Sequence, residues 1–374
     1  MLATIKCELK SFEDLAHSFA AKELTVNREE NDRYPFGPFF DATLAKAYEV
    51  GLLGTILPEE CGGIGQGMNA LCIILDNLSA ADASLGGIIF TNALSQEIIL
   101  SAGCKDLLTG ITGQATDAPS SLIACQSFCN AAEIKTQLMA VKNKDSYILN
   151  GTAEYVVLGG LAGHALVPAH IKEQEGYSFF LIDLKGKGIT KSEPVFSLGL
   201  HSCPAVDVKL TEVKGTIIGR ETEGSKYFDQ ASDRMHAAVA AMQCGIMKGS
   251  FQEALSYSQE RLQGGWEIIN WSGLRMLLAQ MAMHVKIAEM VVSEAALAVE
   301  QHEPEWNICT RAAALHLSEL ACKLTTDGIQ ILGGYGYMKD YGQEKRFRDA
   351  KQVQALLGLA PMRKLGLISA IVKK

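Results

Sequence analysis

A chain of 374 residues in which 48% of the side chains are hydrophobic and 20% charged has enough apolar surface for two or three cores, which excludes a mostly disordered or fibrous protein. A formal net charge of −8 excludes a broad nucleic-acid or anionic-membrane footprint, leaving only local basic patches for a phosphorylated ligand. No apolar run approaches the roughly eighteen residues of a membrane helix, Met1 to Glu8 turns charged too early for a signal peptide, and the ten cysteines are scattered without C-x-x-C spacing. A cytoplasmic protein with buried thiols is expected, with neither a disulfide framework nor a metal site of the zinc type.

The first 120 residues read as an N-terminal α-helical domain. Leu9, Phe12, Leu15 and Phe19 recur at near-helical spacing, and Phe39 to Gly51 continues the pattern until Gly54 and Pro58 interrupt it. Leu52 to Gly67 is a turn-rich loop. From 121 to 225 the period changes. Ala165-Leu-Val, Ser178 to Asp183 and the alternating Val206 to Val213 predict a small central β-barrel or sandwich. From 226 to 374 helices return: Ala237 to Arg261, an apolar stripe from Leu274 through Leu278, Met281, Val285, Val292 and Ala295, then Ala312 to Leu332 and the segment after Arg348. These predict a C-terminal antiparallel four-helix bundle, with Ala240, Ala241 and Gly245 permitting close helix contacts. The fold class is thus α+β, mostly α.

The most specific stretch is Gln330-Ile-Leu-Gly-Gly-Tyr-Gly-Tyr, a polar corner, and Arg346-Phe-Arg-Asp-Ala-Lys351. Gly333, Gly334 and Gly336 end a helix and let backbone approach another surface. Arg346 is expected to open a second helix, with Asp349 near its positive N-terminal end. This stretch resembles the C-terminal signature of the acyl-CoA dehydrogenase family, in which Q-I-x-G-G-x-G-Y, a short polar turn and R-D-A-K follow in this order. Leu52-Leu-Gly-Thr-Ile-Leu-Pro-Glu-Glu-Cys-Gly-Gly resembles a second family segment, and Leu78 to Ser84 resembles the helix that follows it.

The resemblance implies a flavoprotein oxidoreductase that uses FAD to dehydrogenate an acyl-CoA or other acyl thioester. It also implies a homotetramer or dimer, or a heteromer with a catalytic paralogue, with an electron-transfer flavoprotein as a possible acceptor. Such chemistry needs a carboxylate to remove the α proton and donors for the thioester oxygen. The carboxylate is missing: Gln354-Ala-Leu-Leu-Gly-Leu359 puts Leu357, followed by Gly358, where the family carries Glu. The Leu357 backbone N–H is expected to be free to meet a thioester oxygen. Some members carry the Glu before an Arg on an earlier helix, and here Met235 and His236 occupy those positions. His236 is a weak candidate base; Asp233 lies roughly 200° around the helix from the required face. Met235, His236, Leu357 and Gly358 are the expected substrate contacts.

On the cofactor side, the family's T-E-P-x-A-G-S-D loop becomes Cys125-Gln-Ser-Phe-Cys-Asn-Ala-Ala132, and its W-[IV]-T-N becomes Tyr155-Val-Val-Leu158. Tyr155 keeps an aromatic face, Val156 keeps backbone groups to offer, and Val157 has lost a hydroxyl. Arg261 matches the family's pyrophosphate arginine, although the usual Phe is Gly264. Gln330, Gly333 and Gly334 match the segment that reaches the FAD of a neighbouring subunit. Three readings stay open: a working flavoenzyme, a catalytically silent subunit of a mixed oligomer, and a flavin-free acyl-CoA-binding relative.

Overall fold

The computed structural model describes residues 2–34, 39–128, 138–144 and 146–372. Helices come first: α1 (Leu2–Phe19), α2 (Arg28–Asn31), α3 (Phe39–Glu49), α4 (Met68–Ala81), α5 (Ala83–Ser101), α6 (Lys105–Gln114) and α7 (Ala118–Ser121). The turn-rich 52–67 loop carries two short 3₁₀ turns, Leu52–Gly54 and Glu59–Cys61. Leu78 to Ser84 is not one helix. Asp82 takes an extended backbone between α4 and α5 and caps the latter by accepting the Ser84 N–H at 2.8 Å.

Contrary to the expectation that no apolar run is long enough, α5 has the length and composition of a membrane span. It is instead a core helix, with 94% of its most apolar window buried. Its polar Thr91, Asn92 and Ser95 find partners inside the fold.

The strands are β1 (Ile123–Ala124), β2 (Met139–Asn143), β3 (Ser146–Val157), β4 (His164–Ile171), β5 (Ser178–Asp183), β6 (Ile189–Lys191) and β7 (Ala205–Ile217). The order runs β1-β4-β2-β3-β7-β5, and β5 also pairs with β4, so the path closes into a barrel. Closure removes the free edges that an open sheet of this size would expose.

Long helices follow: α8 (Gly224–Glu260), α9 (Ser272–Gln301) and α10 (Trp306–Leu332). The fourth member of the expected bundle is split into α11 (Gln343–Val353) and α12 (Ala360–Val372). Leu357 and Gly358, at φ 64° and 112°, lie in the break between them. At 37 residues α8 is about 55 Å long, and it packs on α4, α5, α9, α10 and α11. The small residues along α8 serve contacts within the chain. A Cβ on Gly245 would sit 2.1 Å from the Asp76 carbonyl oxygen of α4, and one on Gly249 equally close to that of Ala80.

Helix α11 begins three residues before Arg346, so Asp349 lies in its middle rather than at its positive end. Its role is a buried ion cluster. Lys345 Nζ donates to Asp349 Oδ2 at 2.6 Å and to Asp82 Oδ1 at 3.0 Å, with all three side chains at most 4% exposed. Asp349 Oδ1 accepts the Leu200 N–H at 2.8 Å from the segment before β7. Beside them Arg348 forks onto Asp32 at 3.2 and 2.5 Å and also holds Glu344. One helical turn of α11 therefore ties the N-terminal helices, the barrel and the C-terminal helices together.

Replacing one partner of such a cluster leaves an uncompensated buried charge. Lys345→Met is expected to cost about 3–5 kcal/mol of unfolding free energy, read from the midpoint of a urea titration; a loss below 1 kcal/mol would contradict this role.

Candidate active site

Two cavities gather some of the residues singled out from the sequence. The first is a cleft of about 1140 Å³ between the end of α8 and the end of α10, lined by Tyr257, Arg261, Gln330, Gly333, Gly334 and Tyr335 among others. Arg261 is the residue at which α8 stops, and Gly333 is the residue at which α10 stops, with φ 58° and ψ −129°. That backbone conformation favours glycine, and a Cβ on Gly333 or Gly334 would meet nothing within 4 Å. The Arg261 guanidinium lies over the Tyr335 ring at 5.3 Å, solvent-exposed and without a carboxylate partner among the described residues. An unpaired guanidinium beside bare backbone suits a pyrophosphate, so the dinucleotide end of FAD fits here.

The flavin-ring end does not fit in the same way. Val156 and Val157 are fully buried, and Val157 exchanges both backbone hydrogen bonds with Cys125, at 2.9 and 3.2 Å. The Val156 carbonyl accepts the Gly159 N–H, so the backbone expected to be on offer is committed within the barrel. Tyr155, at φ 54°, donates its N–H to Asp207 Oδ1 at 2.8 Å. Its hydroxyl accepts from Gln352 Nε2 at 3.0 Å, and its ring meets Phe128 edge-on. Cys129 to Ala132 of the altered loop lie outside the described residues.

The second cavity, about 470 Å³, lies between α8, α10 and α12 and is lined by Phe228, Ser232, His236, Arg311, Leu357 and Arg363, among others. It brings His236 and Leu357 together, as expected for substrate contacts. Met235 is instead packed into the core and Gly358 donates its N–H to Ala355 O, and neither lines the cavity. The Leu357 side chain is 3% exposed, and its N–H already donates to Ser127 O at 2.8 Å, which corrects the expectation of a donor left for a thioester oxygen. Gln352 to Tyr155 and Leu357 to Ser127 thus tie the end of α11 and the turn after it directly to the barrel.

Two arginines, Arg311 and Arg363, and one carboxylate, Asp229, line this cavity. Burial pushes the His236 pKa well down, and the positive Arg363 and Arg311 push it further. The imidazole is therefore neutral at physiological pH and a weak base. Asp233, off the required face as expected, is spent on Arg311, whose Nε lies 2.5 Å from its Oδ1. The lining carboxylate, Asp229, precedes His236 by seven residues on α8, about 10 Å along the helix.

Arg363, which the sequence reading passed over, is buried, and its Nη1 donates to the carbonyls of Gln354 and Leu356 at 3.3 and 3.1 Å. It steadies the turn that carries Leu357. The available signal was a trade: an arginine absent from position 236 and one present on the last helix.

Comparison with known proteins places the fold. The family models described as acyl-CoA dehydrogenase N-terminal domain and C-terminal domain match residues 7–107 and 222–364. The probable acyl-CoA dehydrogenase YngJ of Bacillus subtilis is 28% identical, over 98% of each chain. Cyclohexane-1-carbonyl-CoA dehydrogenase of Geobacter metallireducens is 26% identical, over 88% of this chain and 89% of that one. Among solved structures, a chain from the study of the electron transferring flavoprotein of Acidaminococcus fermentans superposes with a TM-score of 0.89 at 27% identity, covering 98% of both. Butyryl-CoA dehydrogenase from Megasphaera elsdenii superposes at 0.86 with 24% identity, covering 97% of this chain and 98% of that one.

With helices flanking a small barrel, these matches define an acyl-CoA dehydrogenase-like oxidoreductase. The chain belongs to the acyl-CoA dehydrogenase family, and FAD use is implied by that family.

The electrostatics of the second cavity can be read directly. In Arg363→Met one of the two cations opposing protonation of His236 is gone, so its pKa should rise towards the ordinary histidine value while burial still holds it below. An NMR titration of the imidazole checks this; an unchanged midpoint would show that Arg363 does not act on His236.

Proposed function

We propose that this chain is a subunit of an acyl-CoA dehydrogenase-type flavoprotein that binds an acyl thioester and grips FAD at a subunit boundary, while a related subunit supplies the carboxylate that removes the α proton. The observation that carries this reading is Leu357: a buried hydrocarbon side chain stands at the base position and its N–H is taken by Ser127. Carbon acids give up protons reluctantly, and neither a leucine nor a histidine pushed strongly towards its neutral form supplies the basicity required.

When bound, FAD supplies the acceptor for the hydride that leaves the β carbon. The residues of this chain do the rest of the work assigned to it. Arg261 neutralises the pyrophosphate, and Gly333 and Gly334 admit it close to the backbone at the end of α10. Gln330 stands at the mouth of the same cleft, positioned to donate to a dinucleotide held by a neighbour.

Association with a neighbour is supported by the outer face of α9. Met276, Met283, Ile287, Met290 and Leu297 are exposed there at spacings of seven, four, three and seven, which is one continuous helical stripe. A dimer or tetramer of related subunits would cover it. The likeness to the Acidaminococcus chain supports an electron-transferring flavoprotein as the acceptor.

Removing the Arg261 charge should weaken FAD retention tenfold to a hundredfold, the usual worth of charge-assisted hydrogen bonds, measured as flavin per chain after gel filtration of Arg261→Ala. Unaltered flavin content would remove Arg261 from the site. Purified alone, the flavin-bearing protein should not bleach anaerobically with acyl-CoA substrates, and bleaching should appear when a family relative with Glu at the position of Leu357 is co-purified with it. Bleaching by the chain alone would overturn the division of labour.

A further inference from the structure

The connection between β6 and β7, residues 192–204, runs as an irregular strap across the middle of α11. Gly199 lies flat on that helix: a Cβ there would sit 2.6 Å from the Arg348 carbonyl oxygen, so the two backbones touch. Leu200, at φ 51°, gives its N–H to Asp349, and the Leu198 carbonyl accepts from Arg348 Nη1 at 3.2 Å. On its other side the strap meets the turn after α2. Ser202 donates its hydroxyl to the Asn31 carbonyl. Tyr34 donates its own to the Pro194 carbonyl at 3.1 Å and stacks its ring on Phe196 at 4.5 Å.

His201, 5% exposed, stands at the centre of these contacts. Its Nδ1 faces the Asp32 carbonyl at 2.7 Å and Asp32 Oδ1 at 3.1 Å, and its Nε2 faces the Ser197 carbonyl at 3.0 Å. Carbonyl and carboxylate oxygens only accept, so each ring nitrogen must donate, and a neutral imidazole has a single N–H. The site is built for the imidazolium. Losing the proton sets a nitrogen lone pair against an oxygen at one of the two positions, inside a buried contact.

The charged groups around the ring act in the same sense. Asp32 faces it from the turn after α2 and Arg348 from α11, where Glu344 holds Arg348 and Lys345 lies one turn back. Burial disfavours the imidazolium, Asp32 favours it through hydrogen bonds and charge, and Arg348 opposes it; the balance raises the His201 pKa above its ordinary value. Burial opposes ionisation of Asp32 as well, yet His201 and Arg348 hold its carboxyl well below the usual carboxylate range. Arg348 and Lys345, disfavoured by burial, are raised by their carboxylate partners, and burial pushes the Cys203 thiol of the strap up. Among these shifted groups only His201 changes charge between mild acid and mild alkali.

We propose that His201 is a pH-sensitive clasp: protonated, it pins the 192–204 strap to the turn after α2, and deprotonated, it lets the strap lift from that turn and from α11. Because folding raises its pKa, the clasp's contribution is complete below the unfolded value of roughly 6.5 and is lost as pH rises through the folded one. The clasp is closed in mild acid and opens on the alkaline side. On opening, Asp32 keeps Arg348 but loses His201, and the Leu200 N–H leaves Asp349. Helix α11 then loses its tie to the barrel through the strap while Lys345 still holds it to Asp82. The clasp acts whatever ligand the two cavities hold.

Hydrogen–deuterium exchange of the full-length protein, read by mass spectrometry at pH 6 and pH 9 and corrected for the base catalysis of exchange itself, tests the clasp. Peptides spanning 192–204 should lose about tenfold or more in protection between the two, while those of β7 should lose less than about threefold. In His201→Gln, neutral at both pH values, the strap should be poorly and equally protected at both. Wild-type strap protection that is the same at both pH values overturns the proposal. So does a pH step that persists in His201→Gln, or a loss shared equally by β7, which is opening of the barrel at large. The wild-type titration stands without the variant. Across intermediate pH values the loss should follow a one-proton curve centred above the ordinary histidine pKa, and a curve centred below it overturns the clasp.

Discussion

Everything that makes this chain specific is hung from the ammonium of Lys345. It lies between Asp82, the residue that separates α4 from α5, and Asp349, whose other oxygen caps the backbone at Leu200 beside the barrel. Burial disfavours its charge, and the two carboxylates override that, so its pKa is raised. With Arg348 forked onto Asp32 one turn away, α11 has a single orientation relative to all the parts of the fold it touches. The turn that follows α11 inherits that orientation, and with it the place of Leu357. A hydrophobic contact could supply similar stability, but it would not fix the rotation of α11 about its axis as a set of directed ion pairs does. What a motif of charged residues first offers as a signature of nucleotide binding is, in its second half, a device for registering three bodies of the fold.

The two ends of the expected cofactor site differ in what they leave open. The cleft at the ends of α8 and α10 offers a cation with no carboxylate partner among the described residues, two glycines with open space where a side chain would stand, and an aromatic ring beside the guanidinium. At the reaction end, positions that would face flavin and thioester are filled with Val157 and Leu357, and the polar groups nearby satisfy one another through Gln352 to Tyr155 and Leu357 to Ser127. The Leu357 N–H and the Tyr155 hydroxyl are thus both engaged within the chain.

Legibility from the sequence followed the strength of the local constraint. The helix stop at Gly333 was legible because a glycine pair ends a long periodic segment there, whereas Arg261 stood out only through its match to the family pattern. The barrel was legible from β4, β5 and β7. The longest stretch of β3 escaped because Asn150, Gly151 and Glu154 break its alternation where the ladder to β7 shifts register. Asp349 was misplaced for a similar reason: helix boundaries are weakly encoded, and Gly342, at φ 66°, sets the start of α11 from outside the motif. Leu78 to Ser84 looked continuous because an Asp in a helical pattern reads as a solvated side chain until its partner Lys345, distant in sequence, is in view.

Arg363 marks where single-chain reading ends and geometry takes over. On α12 it belongs to a segment, Ala360-Pro-Met-Arg-Lys, that looks like any amphipathic helix start, and its neighbour Lys364 pairs in solvent with Glu319. Only the fold reveals that one of these adjacent cations points inward, across the cavity from the position where the family's arginine has become His236. From α12, Arg363 reaches the carbonyls of Gln354 and Leu356, so the turn carrying Leu357 is held by a residue that lies beyond it in the chain.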